Sequence, residues 1–370
     1  MTERPTLAVG LMSGTSLDGM DAALVRFDGP TRADLLAFTT LAYGSDDRHA
    51  LEQAPSHSNA PALAHLHARL GSLAVAATQS VLDRGRISSA ELDFIAFPGH
   101  TIWHEPPTVT WQLGDSSVLA EAFGVRVVHD FRARDVAAGG EGAPLVPMAD
   151  ILLYGHPEHQ RGLLNIGGMA NVTVVPSRLS EDGAMAFDTG PGMVLIDALA
   201  RAVDPALPFD IDATVSARGT TDTATLEYLL AHEFFERPPP KSTGREQFGA
   251  ALAEDIATRV PGPDGVTTAV SFTVESIARA MERWLPESVH EIIVSGGGRH
   301  HPGVFDGLSQ RLAGGGRMVR RFDDVFYDGD AKEAVAFALL GYLTVHGQPG
   351  NLPAATGARG ARVLGTVTPP

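Results

Sequence analysis

The chain contains no cysteine, which excludes disulfide bonds, thiolate zinc sites and cysteine nucleophiles. Lysine is almost absent: the chain has only Lys241 and Lys332, and Lys241 follows three prolines rather than a glycine-rich turn. A Walker A phosphate loop, which needs a lysine after such a turn, is therefore excluded. A protein that binds phosphates without that lysine must use backbone N–H groups and a metal ion.

Positive charge and long apolar runs are also lacking. The 370 residues carry a formal net charge of −16, which argues against a broad nucleic-acid or anionic-membrane surface, because such surfaces need clustered Lys and Arg. No apolar run approaches the roughly 18 residues of a spanning helix, and the first residues lack a signal peptide's apolar region. We therefore expect a cytoplasmic protein whose partners are small molecules, with a homodimer as the one assembly left open.

Length and periodicity predict two α/β lobes. The composition is 44% hydrophobic with 40 glycines and 25 prolines, which is typical of a globular, loop-rich chain with two cores. Helical spacing is present over 60–82, 250–259, 273–284 and 331–346, and short apolar runs predict strands over 93–97, 124–129 and 291–295. The first 130 residues therefore resemble one lobe, and a second lobe opens near Leu163.

A loop of small residues lies between two apolar runs near the start of the chain. The runs over 7–11 and 22–27 predict two strands, and the loop between them contains Gly14 and Gly19. Glycines let successive backbone N–H groups point at one anion, and the Ser13, Thr15 and Ser16 hydroxyls add donors. The pattern predicts a phosphate-binding hairpin.

The same construction returns about 155 residues later. Strands are predicted over 163–166 and 172–175, and Gly167, Gly168 and Asn171 lie in the turn between them. Either hairpin alone is also typical of an ordinary glycine-rich turn. Because the construction is repeated, it favours a triphosphate held between two lobes.

Asp188 lies at the end of a predicted strand, before a helix whose first turn is predicted to contain Pro191. Ligands of α/β sheets bind at such strand ends, and an Asp placed there can act as a general base for a hydroxyl or a water. An aspartate just before a helix is also a common N-cap. Both interpretations stay open at this stage.

Three further segments are candidates for ligand contact. Gly296, Gly297 and Gly298 end a strand and would let a flat ring lie against bare backbone, although a tight turn explains them equally well. Residues 130–144 concentrate charge and glycine between the lobes, which indicates either the floor of a cleft or a solvated linker. Residues 242–246 follow an irregular proline-rich loop and suit a ligand-facing segment.

Assembled, these features resemble the acetate kinase, sugar kinase, actin and heat-shock chaperone ATPase superfamily, and within it the 1,6-anhydro-N-acetylmuramic acid kinases. The resemblance spans the chain and rests on six motifs. They are Gly-Leu-Met-Ser-Gly-Thr-Ser-Leu-Asp-Gly-Met-Asp at 10–21, Asp-Phe-Arg-Ala-Arg-Asp-Val-Ala-Ala-Gly-Gly-Glu-Gly-Ala-Pro-Leu-Val-Pro at 130–147, Leu-Asn-Ile-Gly-Gly at 164–168, Phe-Asp-Thr-Gly-Pro-Gly at 187–192, Lys-Ser-Thr-Gly-Arg-Glu at 241–246 and Pro-Gly-Asn at 349–351.

The resemblance implies an α/β fold of two actin-like, ribonuclease H-like lobes with a nucleotide and sugar cleft between them. The N-terminal lobe would comprise 1–130 plus the returning segment 347–370, and the C-terminal lobe 131–346. It also implies ATP with Mg²⁺ and a cytoplasmic role in peptidoglycan recycling. In the implied reaction, water opens the anhydro bridge at the sugar C1 while O6 takes the γ-phosphoryl group, giving N-acetylmuramate 6-phosphate.

The resemblance also implies roles for the individual residues that match the family's motifs. Asp188 matches the family's catalytic aspartate, Asp18 is the expected magnesium partner, and Arg134, Asp135 and Glu333 fall on segments that face the sugar. Residues 14–21 match the ATP-phosphate loop. With the second hairpin and the third glycine turn, the predicted ATP-binding residues are Gly14, Thr15, Ser16, Leu17, Asp18, Gly19, Met20, Asp21, Gly167, Gly168, Asn171, Gly296 and Gly297.

The chain departs from the family pattern at two places. The family usually has Ser-His-Gly-Gln-Thr where this chain has Phe-Pro-Gly-His-Thr at 97–101, and Asn where this chain has Met193. Both places lie near the expected sugar site. The alternatives are a kinase of the same fold for a different sugar or anhydrosugar, or a nucleotide-gated binding protein without catalysis. A catalytic base at Asp188 distinguishes the kinases from the binding protein.

Overall fold

The structure is a computed structural model, and it describes residues 4–14, 17–57, 59–177 and 184–370. The chain divides into a first unit, Met1–Tyr154 with Ala331–Pro370, and a second unit, Gly155–Asp330. The chain thus leaves the first unit after Tyr154, builds the whole second unit, and re-enters the first unit at Ala331.

The strands of the described residues form two large sheets and one ribbon. In chain order they are β1 (Thr6–Ser13), β2 (Gly19–Phe27), β3 (Ala33–Ala42), β4 (Phe94–Phe97), β5 (His100–Glu105), β6 (Val109–Leu113), β7 (Val127–His129), β8 (Arg161–Ile166), β9 (Met169–Val175), β10 (Met185–Pro191), β11 (Glu291–Ser295), β12 (Met318–Arg321) and β13 (Thr366–Thr368). The sheet of the first unit has the order β13-β7-β4-β1-β2-β3, that of the second unit has the order β10-β9-β8-β11-β12, and β5 pairs with β6 alone.

The two sheets repeat one topology. In the first, β1, β2 and β3 form an antiparallel meander, and β4 and β7 then add in parallel on the other side of β1. In the second, β8, β9 and β10 form the meander, and β11 and β12 add in parallel beside β8. The repeat that the two glycine hairpins predicted is therefore confirmed and extends over five strands of each sheet, with β13 as an additional edge strand of the first. The α/β fold with two lobes is also confirmed.

The helices of the described residues cover the sheets. They are α1 (Ser45–His57), α2 (Ala60–Gly85), α3 (Ser116–Phe123), α4 (Ala133–Ala137), α5 (Val146–Tyr154), α6 (Val194–Val203), α7 (Thr223–Leu230), α8 (Ala250–Arg259), α9 (Pro263–Trp284), α10 (Pro302–Ala313), α11 (Lys332–Val345) and α12 (Pro353–Thr356). Within the described ranges, no helix is both long and apolar enough to cross a membrane.

Helix α2 shows how local sequence sets these elements. The side chain of Asn59 accepts a hydrogen bond from the Ala62 N–H, and a proline occupies the first turn, so both start signals of a helix are present. Its alanine-rich interior buries one face, and the helix ends at Arg86 in the left-handed conformation, with φ 55°. The predicted helix over 60–82 is confirmed.

Helix α11 belongs to the first unit, which corrects the predicted lobe boundaries. A Cβ at Gly10 of β1 would overlap the Ala334 carbonyl, and a Cβ at Gly341 would lie 2.6 Å from the Phe94 ring, so glycines let α11 approach the sheet closely. Residues 131–154 and 331–346 therefore join the first unit. The periodicity of α11 could not reveal this, because the helix is buried on nearly all sides and shows no single apolar face.

The core of the second unit forms around α9. This helix buries residues along most of its length and packs against α6, α7 and α10. It begins ten residues before the start predicted from periodicity, because Pro263 supplies a first-turn residue and Gly262, at φ 73°, adopts a backbone that few other residues tolerate. The consequence for the site is that β10 is held against a rigid helix.

Candidate active site

The first glycine hairpin connects β1 to β2, as predicted. The Leu17 N–H donates to the Gly14 carbonyl at 3.3 Å, and the Gly19 N–H donates to the Asp18 side chain at 2.9 Å. Glycine is required at 19, because a Cβ there would lie 2.6 Å from the Leu41 carbonyl. The predicted ATP contacts Thr15 and Ser16 lie outside the described residues.

Two other residues of the predicted ATP-binding set, Met20 and Asp21, have side chains that make contacts inside the first unit. Met20 is fully buried in the core of the first unit, so only its backbone is available to a phosphate. Asp21 accepts a hydrogen bond from Thr40 Oγ1 at 2.6 Å on the neighbouring strand β3. Asp18, by contrast, lies exposed at the turn. Of the two carboxylates, Asp18 is therefore the better placed to bind an ion from solution.

A buried chain of hydrogen bonds lies at the end of β1. Ser13 Oγ bonds to the Tyr43 hydroxyl at 2.5 Å and to His100 Nδ1 at 2.8 Å. Burial raises the pKa of Tyr43 to about 12 and lowers the pKa of His100, so both groups are neutral at pH 7. His100, one of the departures from the family pattern, is thus tied to the strand that precedes the phosphate hairpin. No local sequence pattern indicates this link, because Ser13 and His100 are 87 residues apart.

The second glycine hairpin, between β8 and β9, is fastened to the chain that follows β10. The Gly192 N–H donates to the Gly168 carbonyl at 2.9 Å, and the Met193 N–H to the Gly167 carbonyl at 2.8 Å. A Cβ at Gly192 would overlap the Gly167 carbonyl. The Gly-Pro-Gly of the 187–192 motif therefore serves close backbone approach to the hairpin.

Asp188 lies in the middle of β10, directly opposite Asn171 of β9. The pairing register shifts between Asp188 and Gly190, and Thr189 Oγ1 donates to the Ala170 carbonyl at 3.1 Å beside this irregularity. Irregularities of this kind re-aim side chains next to functional sites. Two predicted site residues, Asp188 and Asn171, are thus brought together.

The interpretation of Asp188 as a helix cap is excluded. Helix α6 begins at Val194, its N-cap residue is Met193, and no side chain caps it. Pro191, expected in the first turn of that helix, is instead the last residue of β10. The Asp188 carboxylate is therefore available for another task.

The surroundings of Asp188 make its carboxylate a stronger base than an exposed aspartate. Oδ2 accepts a hydrogen bond from the Thr243 N–H at 2.9 Å, and among the described residues Oδ1 has no partner. Burial raises the pKa of Asp188 to about 6; Glu246 also raises it, whereas the Thr243 N–H and Lys241 oppose the increase. The group is ionised at pH 7 and still readily accepts a proton.

The third glycine turn follows β11, as predicted. Gly296 has φ 80°, and a Cβ there would lie 2.6 Å from both the Ile166 carbonyl and Asn165 Oδ1. Gly298 also packs against Ile166, whereas a Cβ at Gly297 would meet nothing within 4 Å. Packing thus explains two of the three glycines, and only Gly297 offers open backbone to a flat ring.

Arg299, which sequence reasoning missed, fixes this turn. Its buried guanidinium donates to the Gly296 carbonyl at 3.1 Å, to Asp323 at 2.7 Å and to Asp330 at 2.8 Å. An arginine next to three glycines carries no recognisable signal of its own, because its carboxylate partners lie 24 and 31 residues away.

The predicted sugar contacts of the first unit differ in their surroundings. Arg134 is exposed on α4, and Glu333 is exposed in the first turn of α11. The pKa of Glu333 is raised, because nearby protein partly desolvates the carboxylate; Lys332 and Arg132 oppose the increase. Both side chains are open to a ligand.

The carboxylate of Asp135, a predicted sugar contact, is hydrogen-bonded inside the first unit. The residue is fully buried, and Oδ1 accepts from Asn351 Nδ2 at 2.7 Å and from Thr356 Oγ1 at 2.8 Å. Oδ2 accepts from the Gly142 N–H at 2.8 Å. Asp135 thus ties the 130–147 motif to the Pro-Gly-Asn motif of the C-terminal segment, and this geometry supports a structural role rather than the predicted sugar contact.

A cavity of about 480 Å³ opens within the first unit. Pro98 and Gly99 line one side, Trp111 and Gln112 line another, and α3 begins at its edge. Gln112 Oε1 is buried without a hydrogen-bond partner. Pro98, a departure from the family pattern, contributes no hydrogen-bonding side chain to the wall.

Known proteins of one family match nearly the whole chain. The model of a family described as anhydro-N-acetylmuramic acid kinase matches residues 6–370. The anhydro-N-acetylmuramic acid kinase of Bacillus thuringiensis subsp. konkukian (strain 97-27) is 38% identical over 378 residues, covering 98% of this chain and 99% of the relative. That of Bacillus cereus (strain 03BB102) is 37% identical over 377 residues, covering 98% of each.

The solved structures that match this chain are more distant in sequence. One is the activator of the 2-hydroxyisocaproyl-CoA dehydratase from Clostridium difficile with bound ADPNP, with TM-score 0.44 and 9% identity, covering 90% of this chain and 93% of that chain. Another is the ROK hexokinase from Thermus thermophilus, with TM-score 0.37 and 16% identity, covering 92% of this chain and all of that chain.

Proposed function

The chain belongs to the anhydro-N-acetylmuramic acid kinase family, and we propose that Asp188 is the base that activates water in its reaction. The enzyme is a kinase of 1,6-anhydro-N-acetylmuramic acid in cell-wall recycling and uses ATP. Of the alternatives weighed from sequence, a different sugar and a non-catalytic binding protein, neither has a specific observation in its favour.

The proposed step is a hydrolysis coupled to phosphoryl transfer. A water oxygen bonds to C1 of the sugar, the C1–O6 bond breaks, and O6 bonds to the γ-phosphorus as ADP leaves. The water's proton goes to Asp188. The products are N-acetylmuramate 6-phosphate and ADP. Because the leaving oxygen is captured by phosphorus, the reaction needs one base rather than an acid and a base.

A single observation carries this assignment. One Asp188 oxygen is held by the Thr243 N–H while the other has no partner among the described residues. A carboxylate held at one oxygen and open at the other can take a proton without reorienting. A coupled ADP-release assay across anhydrosugars and ordinary hexoses, with product mass measured, tests the function. ADP release with every hexose and none with the anhydrosugar would refute it.

The acid limb of the pH profile follows from the pKa of about 6 for Asp188. Only the ionised carboxylate accepts a proton, so we expect kcat/KM to be constant above about pH 7 and to fall about tenfold per pH unit well below pH 6. Asp197 of α6 provides a matched control, because burial raises its pKa to about 6 as well. We expect the Asp197→Asn variant to show the same acid limb of kcat/KM as the wild type. If the acid limb disappears in this variant, it belongs to Asp197 instead.

The phosphates of ATP would be bound by the two glycine hairpins, with Mg²⁺ partnered by Asp18. Magnesium in nucleotide kinases is held by one or two carboxylates together with the phosphates, so a single exposed Asp18 fits it, and within the described ranges no cluster of three His, Asp or Glu forms a separate metal cage. When bound, the ion neutralises phosphate charge. Gly297 would face the adenosine.

A side chain at Gly14 should weaken nucleotide binding. We expect Gly14→Val to lower ATP affinity at least about tenfold, because the branched side chain keeps phosphates from the backbone N–H groups of the turn. Calorimetry with Mg-ATP on the folded variant measures this. The control is Gly44→Ala in the same unit, where a Cβ would meet nothing closer than 3.8 Å. Equal ATP affinity in both variants would show that the phosphates bind elsewhere.

Sugar binding would involve Arg134 and Glu333, whose side chains are open. The departures Pro98 and Met193 would each remove a hydrogen bond available to relatives with the usual motif, which amounts to about 0.5–1.5 kcal/mol per bond. Met193 instead packs against the core of the second unit.

A further inference from the structure

Residues 241–247, here called the 241–247 segment, hold Asp188 at two points. The Asp188 N–H donates to the Lys241 carbonyl at 3.0 Å. The Thr243 N–H donates to Asp188 Oδ2 at 2.9 Å. The first bond fixes the backbone of Asp188, and the second fixes its side chain, so the carboxylate has one orientation.

The segment is itself anchored at both ends. Lys241 Nζ donates to the Phe234 carbonyl at 3.2 Å and lies 4.4 Å from the centre of the Phe234 ring. At the other end, the N–H of the fully buried Phe248 donates to the Gly244 carbonyl at 3.0 Å. Between these anchors, Thr243 Oγ1 donates to Gln247 Oε1 at 2.8 Å. This bond is the one side-chain brace at Thr243 in the described structure.

The charged groups that act on Asp188 both come from this segment. Glu246 raises its pKa and Lys241 lowers it. The other elements packed on β10 present uncharged groups to it. Asn171 lies opposite Asp188 on β9, Thr273 Oγ1 of α9 donates to the Gly192 carbonyl, and Phe235 packs beside Gly190.

We propose that Thr243 is a positioning residue for the base: its backbone N–H holds one oxygen of Asp188 so that the other faces the reacting water, and its hydroxyl, braced on Gln247, holds that N–H in place. The proposal rests on the assignment of Asp188 as the base. As a positioning residue Thr243 acts through the base, so we expect its effect in kcat rather than in the KM for ATP.

Two variants delete the same brace. Thr243→Ala and Gln247→Leu both remove the Oγ1 to Oε1 bond and leave every backbone N–H in place, so we expect each to lower kcat about fivefold with the KM for ATP unchanged. Because both remove one interaction, the double variant should also fall about fivefold rather than about 25-fold. Thr243→Ser keeps the hydroxyl and should retain wild-type kcat.

A third variant removes the N–H itself. Thr243→Pro has no N–H, so the ionised form of Asp188 loses a hydrogen bond. We expect kcat to fall about 10–100-fold and the acid limb of kcat/KM to move upward by about one pH unit. Circular dichroism and calorimetric ATP binding test whether the variant is folded. If it is not folded, Thr243→Ala and Gln247→Leu test the proposal in its place.

The outcomes separate the two proposals. If Asp188→Asn stays active, the assignment of the base is wrong. Suppose instead that Asp188→Asn is inactive. If Thr243→Ala and Gln247→Leu then keep wild-type kcat, or if their effects multiply in the double variant, the role of Thr243 is overturned. The role of Asp188 as the base is unaffected by that result. The role of Thr243 is also overturned if the folded Thr243→Pro variant has the same acid limb of kcat/KM as the wild type.

Discussion

Replacing Asp188 with asparagine should lower kcat about 10²–10⁴-fold, because the amide cannot accept the water's proton. The substitution preserves shape, and the asparagine oxygen can still accept the Thr243 N–H, so we expect the fold and ATP affinity to be retained. A coupled ADP-release assay measures the turnover, and calorimetry measures the affinity.

The control for this variant is Asp197→Asn. Asp197 is also partly buried, and its pKa is also raised. It lies in α6, the helix that follows the strand of Asp188. We expect it to retain most of the wild-type kcat. If Asp188→Asn keeps more than about half of the wild-type rate, a role as general base is excluded, since base removal has far larger effects.

Asp135→Ala should destabilise the protein by at least about 3 kcal/mol. Three donors, from Gly142, Asn351 and Thr356, would lose their acceptor in a buried site, and each unsatisfied group costs about 1–3 kcal/mol. Urea unfolding, with the slope checked against wild type, measures the change in the free energy of unfolding.

The neighbouring Arg134→Ala is the matched control, because Arg134 is exposed and its replacement should change stability by less than about 0.5 kcal/mol. The pair also tests the sugar-binding roles. A stable Asp135→Ala variant with a raised KM for the anhydrosugar would restore the prediction that Asp135 contacts the substrate.

Sequence patterns predicted features that arise from local chemistry. Glycine-rich turns between apolar runs predicted both hairpins, and the apolar residues before Asp188 predicted the strand that contains it. The prediction that Asp188 lies at the end of that strand was wrong, because the strand continues to Pro191. Such features depend on neighbours within a few residues.

Features set by distant partners could not be predicted. Asp135 depends on groups more than 200 residues away, and in a charged, glycine-rich segment it has no sign of burial. The ribbon of β5 and β6 was missed because its strands are short, six and five residues, and pair only with each other. The contact between Thr243 and Asp188 is made by a backbone N–H, which any residue except proline provides.

The position of α11 bears on the order in which the protein folds during synthesis. The helix covers β1, β2 and β4 through the close contact at Gly10, yet it emerges from the ribosome after all of the second unit. Domains usually complete in the order of translation. Here the second unit can finish first, while the apolar face of the first sheet waits for residues 332–345. A nascent chain stalled before that point would expose this face, so a chaperone that shields apolar strands should bind it there and be released once α11 is made.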